Sequence, residues 1–285
     1  MKKRNLILLI IIIFGLSMSG SIWYSYHILK VNTFELEADK PDSPIHMVIL
    51  ADLHDNIFEE KNEKLVKKVL DQHPDFVLMP GDMLNGKSKD ATIPCELISQ
   101  LSKEVPVYFS LGNHEIDYMN NGHPELIKEL EEAGAIVLEE EYLDINVNGT
   151  PVRLGGMYSY AFGNDGEDHA EATPEPTKTF LKEFQITDSL KIMMAHRPDS
   201  FIFGDASKVW DIDLVVSGHI HGGQVVLPFL GGLYGGDQGF FPEYVHGMYK
   251  KDKIHMFLTS GLGSHIEKLP RFNNPPKIAV VNIEK

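Results

Sequence analysis

The chain has a single cysteine, Cys95, so no disulfide can form within it. That cysteine falls in a helical stretch, Ile93 to Lys103, and reads as a small buried hydrophobe, not a nucleophile. No Gly-x-Ser-x-Gly elbow and no P-loop occur, so acyl-transfer and nucleotide-triphosphatase chemistries lack their signatures. Basic residues are scarce: 26 Lys and Arg face 41 Asp and Glu, a formal charge of −15. The first forty residues are slightly basic, which leaves the body still more acidic. Such a body has no general affinity for polyanions, and this argues against a nucleic-acid partner. Part of the acidic excess reads as solvated surface, at Glu125 to Glu132 and Glu139-Glu140-Glu141. Internal repeats and a twin-arginine pair are also missing.

Long apolar runs are rare too, and the one that exists is informative. Lys2, Lys3 and Arg4 precede an apolar stretch from Leu6 to Tyr24, about the ~20 residues that cross a bilayer. Positive charge before the stretch favours a cytoplasmic N-terminus and an extracytoplasmic body. Ile22, Trp23 and Tyr24 suit a membrane interface. The alternative is a cleaved signal peptide, with Ser17 to Gly20 near the cleavage site, which would release the body as a secreted protein. The expected organisation is an anchor or signal over 1–30, a polar stalk over 31–44 and one domain over 45–285, as a monomer.

Five short apolar runs each end in a residue that can bind a metal. They lead into Asp52-Leu53-His54, Asp82, Asn113-His114, His196 and His219-Ile220-His221. Such runs read as buried strands entering loops. Ligands bind outside the carboxyl ends of strands in open α/β sheets. Two Asp, one Asn and five His are thus delivered to one edge, a set that suits a two-metal site for phosphoryl chemistry. In extended chain, residues i and i+2 point the same way, so each spaced pair can close on one metal cluster. Mixed imidazole and carboxylate ligands suit first-row ions such as Mn²⁺, Zn²⁺ or Fe. Each piece alone has a structural reading, as a Gly-Asp turn, a strand-to-loop turn or a helix cap. Their joint occurrence, in order and each after an apolar run, favours metal. The remaining histidines, His27, His46, His73, His123, His169, His246, His255 and His265, read as ordinary side chains.

The set D-x-H, G-D, G-N-H-E, lone His, G-H-x-H resembles the signature of calcineurin-like metallophosphoesterases. Gly222-Gly223-Gln224, Thr259 to Gly263 and Pro270-Arg271-Phe272 are similar to the bacterial YkuE/YaeI-type membrane-associated phosphodiesterases. The resemblance runs from about His46 to Ile283. It implies a fold of two mixed β-sheets packed face to face with flanking helices. It implies Asp52, His54 and His221 on one metal, Asn113, His196 and His219 on the second, and Asp82 bridging them. It further implies His114 as a catalytic non-ligand near the leaving group and a metal-bound hydroxide as nucleophile. Asn85 falls where relatives often carry an acidic residue, which leaves the ligand set intact.

Between these motifs the chain alternates helix and strand, which by itself shows only α/β. Phe58 to Gln72 and Pro124 to Ala133 are amphipathic helices. Ile136 to Leu138, Leu143 to Val147 and Val152 to Gly155 read as short strands, the last two joined by the hairpin signal Asn148-Gly149. Ala161 to Thr177 reads as a loop. Pro228 to Tyr244, rich in Gly and aromatics, reads either as a lid or as a structured loop. Arg271 is a candidate phosphate clamp. The expected function is metal-dependent hydrolysis of phosphoesters, diesters before monoesters, on a lipid or cell-envelope substrate. The alternative is a non-catalytic metal- or ligand-sensing membrane protein on the same fold.

Overall fold

A computed structural model describes residues 3–157, 170–263 and 270–285. The first half runs α1 (Lys3–His27), β1 (Lys30–Glu37), β2 (Ile45–Ile49), α2 (Glu63–Leu70), β3 (Phe76–Met79), α3 (Thr92–Leu101), β4 (Val107–Phe109), α4 (Asn113–Asn120), α5 (Leu126–Glu132) and β5 (Ala135–Val137). The second half runs β6 (Glu141–Val147), β7 (Thr150–Gly156), α6 (Glu175–Phe184), β8 (Leu190–Met194), α7 (Asp199–Ile202), α8 (Ala206–Val209), β9 (Leu214–Ser217), β10 (Val226–Leu227), β11 (Gly231–Gly232), β12 (Gly247–Lys251), β13 (Ile254–Leu258) and β14 (Lys277–Glu284).

These strands build two six-stranded mixed sheets, ordered β1-β14-β2-β3-β4-β5 and β12-β13-β9-β8-β7-β6, beside the small β10-β11 ribbon. The runs β2-β3-β4-β5 and β13-β9-β8-β7 are parallel, and antiparallel strands complete each sheet. Period-two alternation sends one set of side chains from each sheet into a shared core. Met47, Ile49 and Leu78 of the first meet Leu154, Ile192 and Val216 of the second, all at most 1% exposed. The opposite faces are covered by helices. Val48, Val77 and Phe109 pack under Leu65 and Val69 of α2 and Leu97 and Leu101 of α3. Met193, Val215 and Met256 pack under Phe180 and Phe184 of α6. Buried side chains of this size each contribute ~1.5–3 kcal/mol on transfer from water. The layering is therefore helix, sheet, sheet, helix, as the resemblance implied.

Several local expectations hold with shifted ends. Leu65 and Val69, four apart, bury one face of α2. Asn148 and Gly149 both take positive φ, as a two-residue hairpin between β6 and β7 demands. Cys95 is half-buried on α3, and burial, then Glu129, raises its thiol to about 11. The expected loop over 161–177 lies partly outside the described residues; within them, α6 already begins at Glu175. His169 and His265 also lie outside them.

One expectation is corrected. Residues 31–37 of the polar stalk form β1, paired in parallel with β14. Glu35 and Glu37 alternate along it with Phe34 and Leu36, which face the inter-sheet core. Phe34 meets Phe257 of the other sheet edge-on, ring centroids 4.9 Å apart. Helix α1 spans 25 residues, about 37 Å at 1.5 Å per residue. It is long and apolar enough to cross a membrane, and the window that qualifies it has no share buried in the domain.

Candidate metal centre

The site forms where the carboxyl ends of the two sheets' parallel strands meet. Asp52 and His54 follow β2, Asp82 follows β3, and Asn113 and His114 open α4 after β4. His196 follows β8, and His219 and His221 follow β9. The i, i+2 pairs converge, but not by strand alternation. Asp52, His54, Asp82, His219 and His221 all lie past the strand ends with φ between 49° and 69°. Left-handed backbone at non-glycine residues is costly, clusters at functional sites, and persists where the surroundings over-determine it. Here cross-strand bonds do so: Asp52 N–H donates to Gly81 O and His54 N–H to Asp82 O, both at 3.1 Å. Gly81, at φ 81°, is required, because a Cβ there would stand 2.2 Å from Gly112 N.

Three sets of ligand atoms lie within 4.8 Å of one another: Asp52, His54 and His221; His54, Asp82 and His114; and Asp82, His196 and His219. Asp82 belongs to two of them. Its Oδ2 stands 3.0 Å from His196 Nε2, 3.8 Å from His54 Nε2 and 3.9 Å from His114 Nε2. Its Oδ1 accepts the His114 N–H at 2.9 Å. The Nε2 atoms of His54 and His221 face each other at 3.3 Å, and Asp52 Oδ1 lies 3.8 Å from the latter.

Partners behind the rings fix which nitrogen faces inward. His54 Nδ1 donates to Asn85 Oδ1 at 3.0 Å, whose orientation is set because Asn85 Nδ2 donates to His54 O and Asp55. His196 Nδ1 donates to Pro80 O at 2.7 Å. When neutral, both rings therefore present Nε2 as an acceptor, the arrangement typical of metal-bound histidine. His114 differs. Its Nδ1 accepts the Gly86 N–H at 3.1 Å, which leaves the proton of the neutral ring on Nε2.

Electrostatics agree with a cation-binding role. Burial lowers His54 to about 3 and holds His219 and His221 well below the ordinary histidine range, so these rings stay neutral, as ligation requires. Burial raises Asp52 to about 7. Burial also works against charge on Asp82, but His196, and after it His54 and His114, hold its carboxyl well below the ordinary range. Burial opposes charge on His196, yet Asp82 outweighs it and raises the imidazole to about 9. Without a metal, a proton on His196 thus serves as counter-charge to Asp82.

The residues fit two metal ions. Asp52 Oδ2, Asn113 Oδ1 and His221 Nδ1 are buried with no hydrogen-bond partner among the described residues. An amide oxygen and a carboxylate oxygen left bare beside five imidazoles form a donor set for first-row cations. Every sequence-nominated ligand, with His114, reaches this one place.

Arg271 does not serve as expected. It is 1% exposed, and its guanidinium donates to the backbone oxygens of Asn274, Ser260, Gly261 and Gly263. Burial lowers it to about 10. It is a buried brace behind Asp52 and not a phosphate clamp, because it is shut off from solvent and Nε, Nη1 and Nη2 each donate to main-chain oxygen. Glu115 was overlooked. It is 1% exposed; Oε2 accepts Asp82 N–H at 2.7 Å and Gly112 N–H at 2.8 Å, and Oε1 accepts Met83 N–H at 2.8 Å. Its place three residues into α4 was the available signal, since a glutamate there bonds the N-cap amide.

A cleft of about 300 Å³ opens onto the cluster, lined by Asn113, His114, Asp117, Gln224, Tyr234 and Gly236 among others. Tyr234 and Gly236 come from the 228–244 segment, which is a structured loop. It carries β11, which pairs with β10 just before it, an Asp237–Arg197 ion pair and a two-way Gln238–Tyr244 bond.

The sequence profile of the calcineurin-like phosphoesterase family matches residues 45–223. An uncharacterized metallophosphoesterase of Campylobacter jejuni is 28% identical over 258 residues, covering 90% of this chain and 63% of the relative. The chain thus spans less than two thirds of that relative's length. Phosphodiesterase YaeI of Escherichia coli is 25% identical over 229 residues, 78% of this chain and 76% of its own. Among solved structures, GAP50, the anchor in the inner membrane complex of Plasmodium, shares the fold at a TM-score of 0.51 and 12% identity, covering 84% of this chain and 81% of its own. The profile match spans the strand-end motifs from Asp52 to His221, and the chain belongs to the calcineurin-like phosphoesterase family.

Proposed function

We propose that the chain hydrolyses phosphodiesters of a lipid or cell-envelope substrate at a two-metal site held beside the membrane. The observation that carries the chemistry is Asp82, whose Oδ2 stands 3.8 Å from His54 of one ligand group and 3.0 Å from His196 of the other. Asp52, His54 and His221 would hold one ion, and Asn113, His196 and His219 the other; when bound, such ions would supply Lewis acidity at a phosphoryl oxygen and an activated water. The chain's own residues do the rest. His114 presents a protonated Nε2 beside Asp82 at the cleft, placed to donate to a departing alkoxide. Asp82 orders His114 through the backbone bond at Oδ1. Diesters are favoured over monoesters by the similarity to YaeI, a phosphodiesterase. Mn²⁺, Zn²⁺ and Fe all suit the donor set.

The substrate reading rests on the surroundings of the cleft. Phe229, Leu230, Phe240 and Phe241 are exposed at 107, 65, 71 and 55%. Tyr234 packs edge-on against Phe240, whereas Tyr244 packs against Tyr249 in the domain. The ribbon that carries Phe229 is rooted on the 272–273 segment, through Val226 N–H to Phe272 O and Asn273 Nδ2 to Val226 O. That segment adjoins Arg271, whose N–H donates to Tyr26 at the end of α1. Hydrogen bonds thus connect the root of the apolar ribbon to the end of the apolar helix. With Lys2, Lys3 and Arg4 on the cytoplasmic side, α1 spans the membrane once and the domain is extracytoplasmic. The test compares hydrolysis of a lipid-linked phosphodiester in vesicles with that of soluble diesters. Preference for the vesicle substrate is expected. Faster turnover of soluble cyclic nucleotides, with no vesicle advantage, defeats the lipid reading.

A further inference from the structure

The last turn of α1 ends inside the domain. Ser25 is its one buried residue among those described, at 0% exposure. Ser25 Oγ donates to Ser21 O at 2.7 Å and accepts the Asn274 N–H at 3.0 Å. Asn274 is 1% exposed, and its Nδ2 donates to His221 O at 2.7 Å and to Gln224 O at 3.3 Å. A second route starts at the next residue. Tyr26 Oη accepts the Arg271 N–H at 3.1 Å. The Arg271 guanidinium gathers the carbonyls of Ser260, Gly261 and Gly263. That loop returns to the first sheet through Gly263 N–H to Asp52 O at 2.6 Å and Leu262 N–H to Ala51 O at 3.0 Å. Both routes leave the helix end, and they finish on the backbones of Asp52 and His221, members of one ligand group.

We propose that Ser25 and Tyr26 are positioning residues of the metal centre, fixing His221 through Asn274 and Asp52 through Arg271. The backbone explains why such bracing matters. His221 and Asp52 sit at φ 49° and 53°, and Gly222 beside them at 61°. A conformation of that kind drifts unless the surrounding bonds hold it. A buried hydroxyl is costly unless bonded, and here both its bonds are made. The membrane helix is therefore part of the site and not only a tether. Signal processing near Ser17 to Gly20 would leave both residues on the mature chain.

The test uses the full chain in detergent, stripped with chelator and titrated with Co²⁺, read by its visible absorption. Ser25→Ala and Tyr26→Phe are expected to raise the half-saturating Co²⁺ of one ion about tenfold, the low end for partners behind metal ligands, and to leave the other unchanged. Ser25→Thr, which keeps the hydroxyl, restores the parent curve. Ser25→Ala and Tyr26→Phe each strand one main-chain N–H, of Asn274 and Arg271 respectively, so the chelated midpoint falls modestly in both. Parent-like titration of both variants overturns the proposal. So does equal weakening of both ions, since that marks a general docking contact. The inference rests on Asp52, His54 and His221 as ligands, and the parent tests this separately. Fewer than two bound Co²⁺ ions defeats the ligand reading, whereas a two-ion parent with unaffected variants defeats only the role of the helix end.

Discussion

Replacing Glu115 probes how the bridging aspartate is held. The carboxyl takes three backbone N–H groups, from Asp82, Met83 and Gly112, at 2.7–2.8 Å, and is 1% exposed. Burial, and then the charge of Asp82, raises it to about 7, so the site tolerates it only because these donors surround it. Glu115→Ala strands all three donors. Each buried donor left without an acceptor costs ~1–3 kcal/mol. One side chain serves all three and water can enter the space, so the sum is not additive; ~3–5 kcal/mol is expected, the range for breaking a buried charged contact. Glu115→Gln keeps an acceptor for two donors and sets its amide N–H₂ against the third, for ~1–3 kcal/mol. Urea unfolding of metal-free protein measures this as a shift in midpoint at constant m. Metal affinity should fall ~10–100-fold in both variants, because the Asp82 loop loses its anchor. An alanine variant within ~1 kcal/mol of the parent, binding metal normally, would refute the reasoning.

Other perturbations separate chemistry from scaffold. His114→Ala should retain both ions yet lose ~10²–10⁴-fold in diester turnover, whereas His221→Ala should lose metal; metal loss from the His114 variant would overturn its assignment. Leu97→Ala, at a position with 0% exposure between α3 and its sheet, should cost ~2–5 kcal/mol in urea with turnover per folded molecule unchanged. Burial, with Lys277 and Arg271 adding to it, lowers His246 to about 4 from 6.5. A depressed histidine contributes stability that is present above pH 6.5 and lost as pH falls toward 4, by up to ~3 kcal/mol. His246→Gln should lose less stability than the parent across that window, and parallel curves would count against it.

The candidate ligands were legible because each is a strand-end residue of a type that needs a reason to be there. Apolar runs located β2, β3, β4, β8 and β9, and the strand-end rule placed Asp52, Asp82 and the histidines together. Their approach angle was not legible. The i, i+2 spacing suggested alternation, but left-handed turns deliver the side chains, and those turns depend on bonds from other strands. Residues that act through the main chain were hidden for the same reason. Glu115 and Asn274 bind backbone groups, and nothing in their own neighbourhoods announces which loop they serve. Arg271 misled because a guanidinium suits phosphate and carbonyl oxygens alike, and only burial decides. The stalk failed on amplitude: Phe34 and Leu36 are a short alternation within a polar stretch, and they become an edge strand only because β14 is there to pair with.

Two-ion phosphoester hydrolysis stands or falls on a metal titration. Chelated protein is titrated with Mn²⁺ while bound metal and hydrolysis of bis-p-nitrophenyl phosphate are followed together. Hydrolysis should be absent without metal, rise as two ions per chain are bound, and disappear in Asp82→Asn along with the shared ligand. A chain that binds two ions through these residues and remains inactive toward the diester would contradict it, leaving a metal sensor on a phosphoesterase fold.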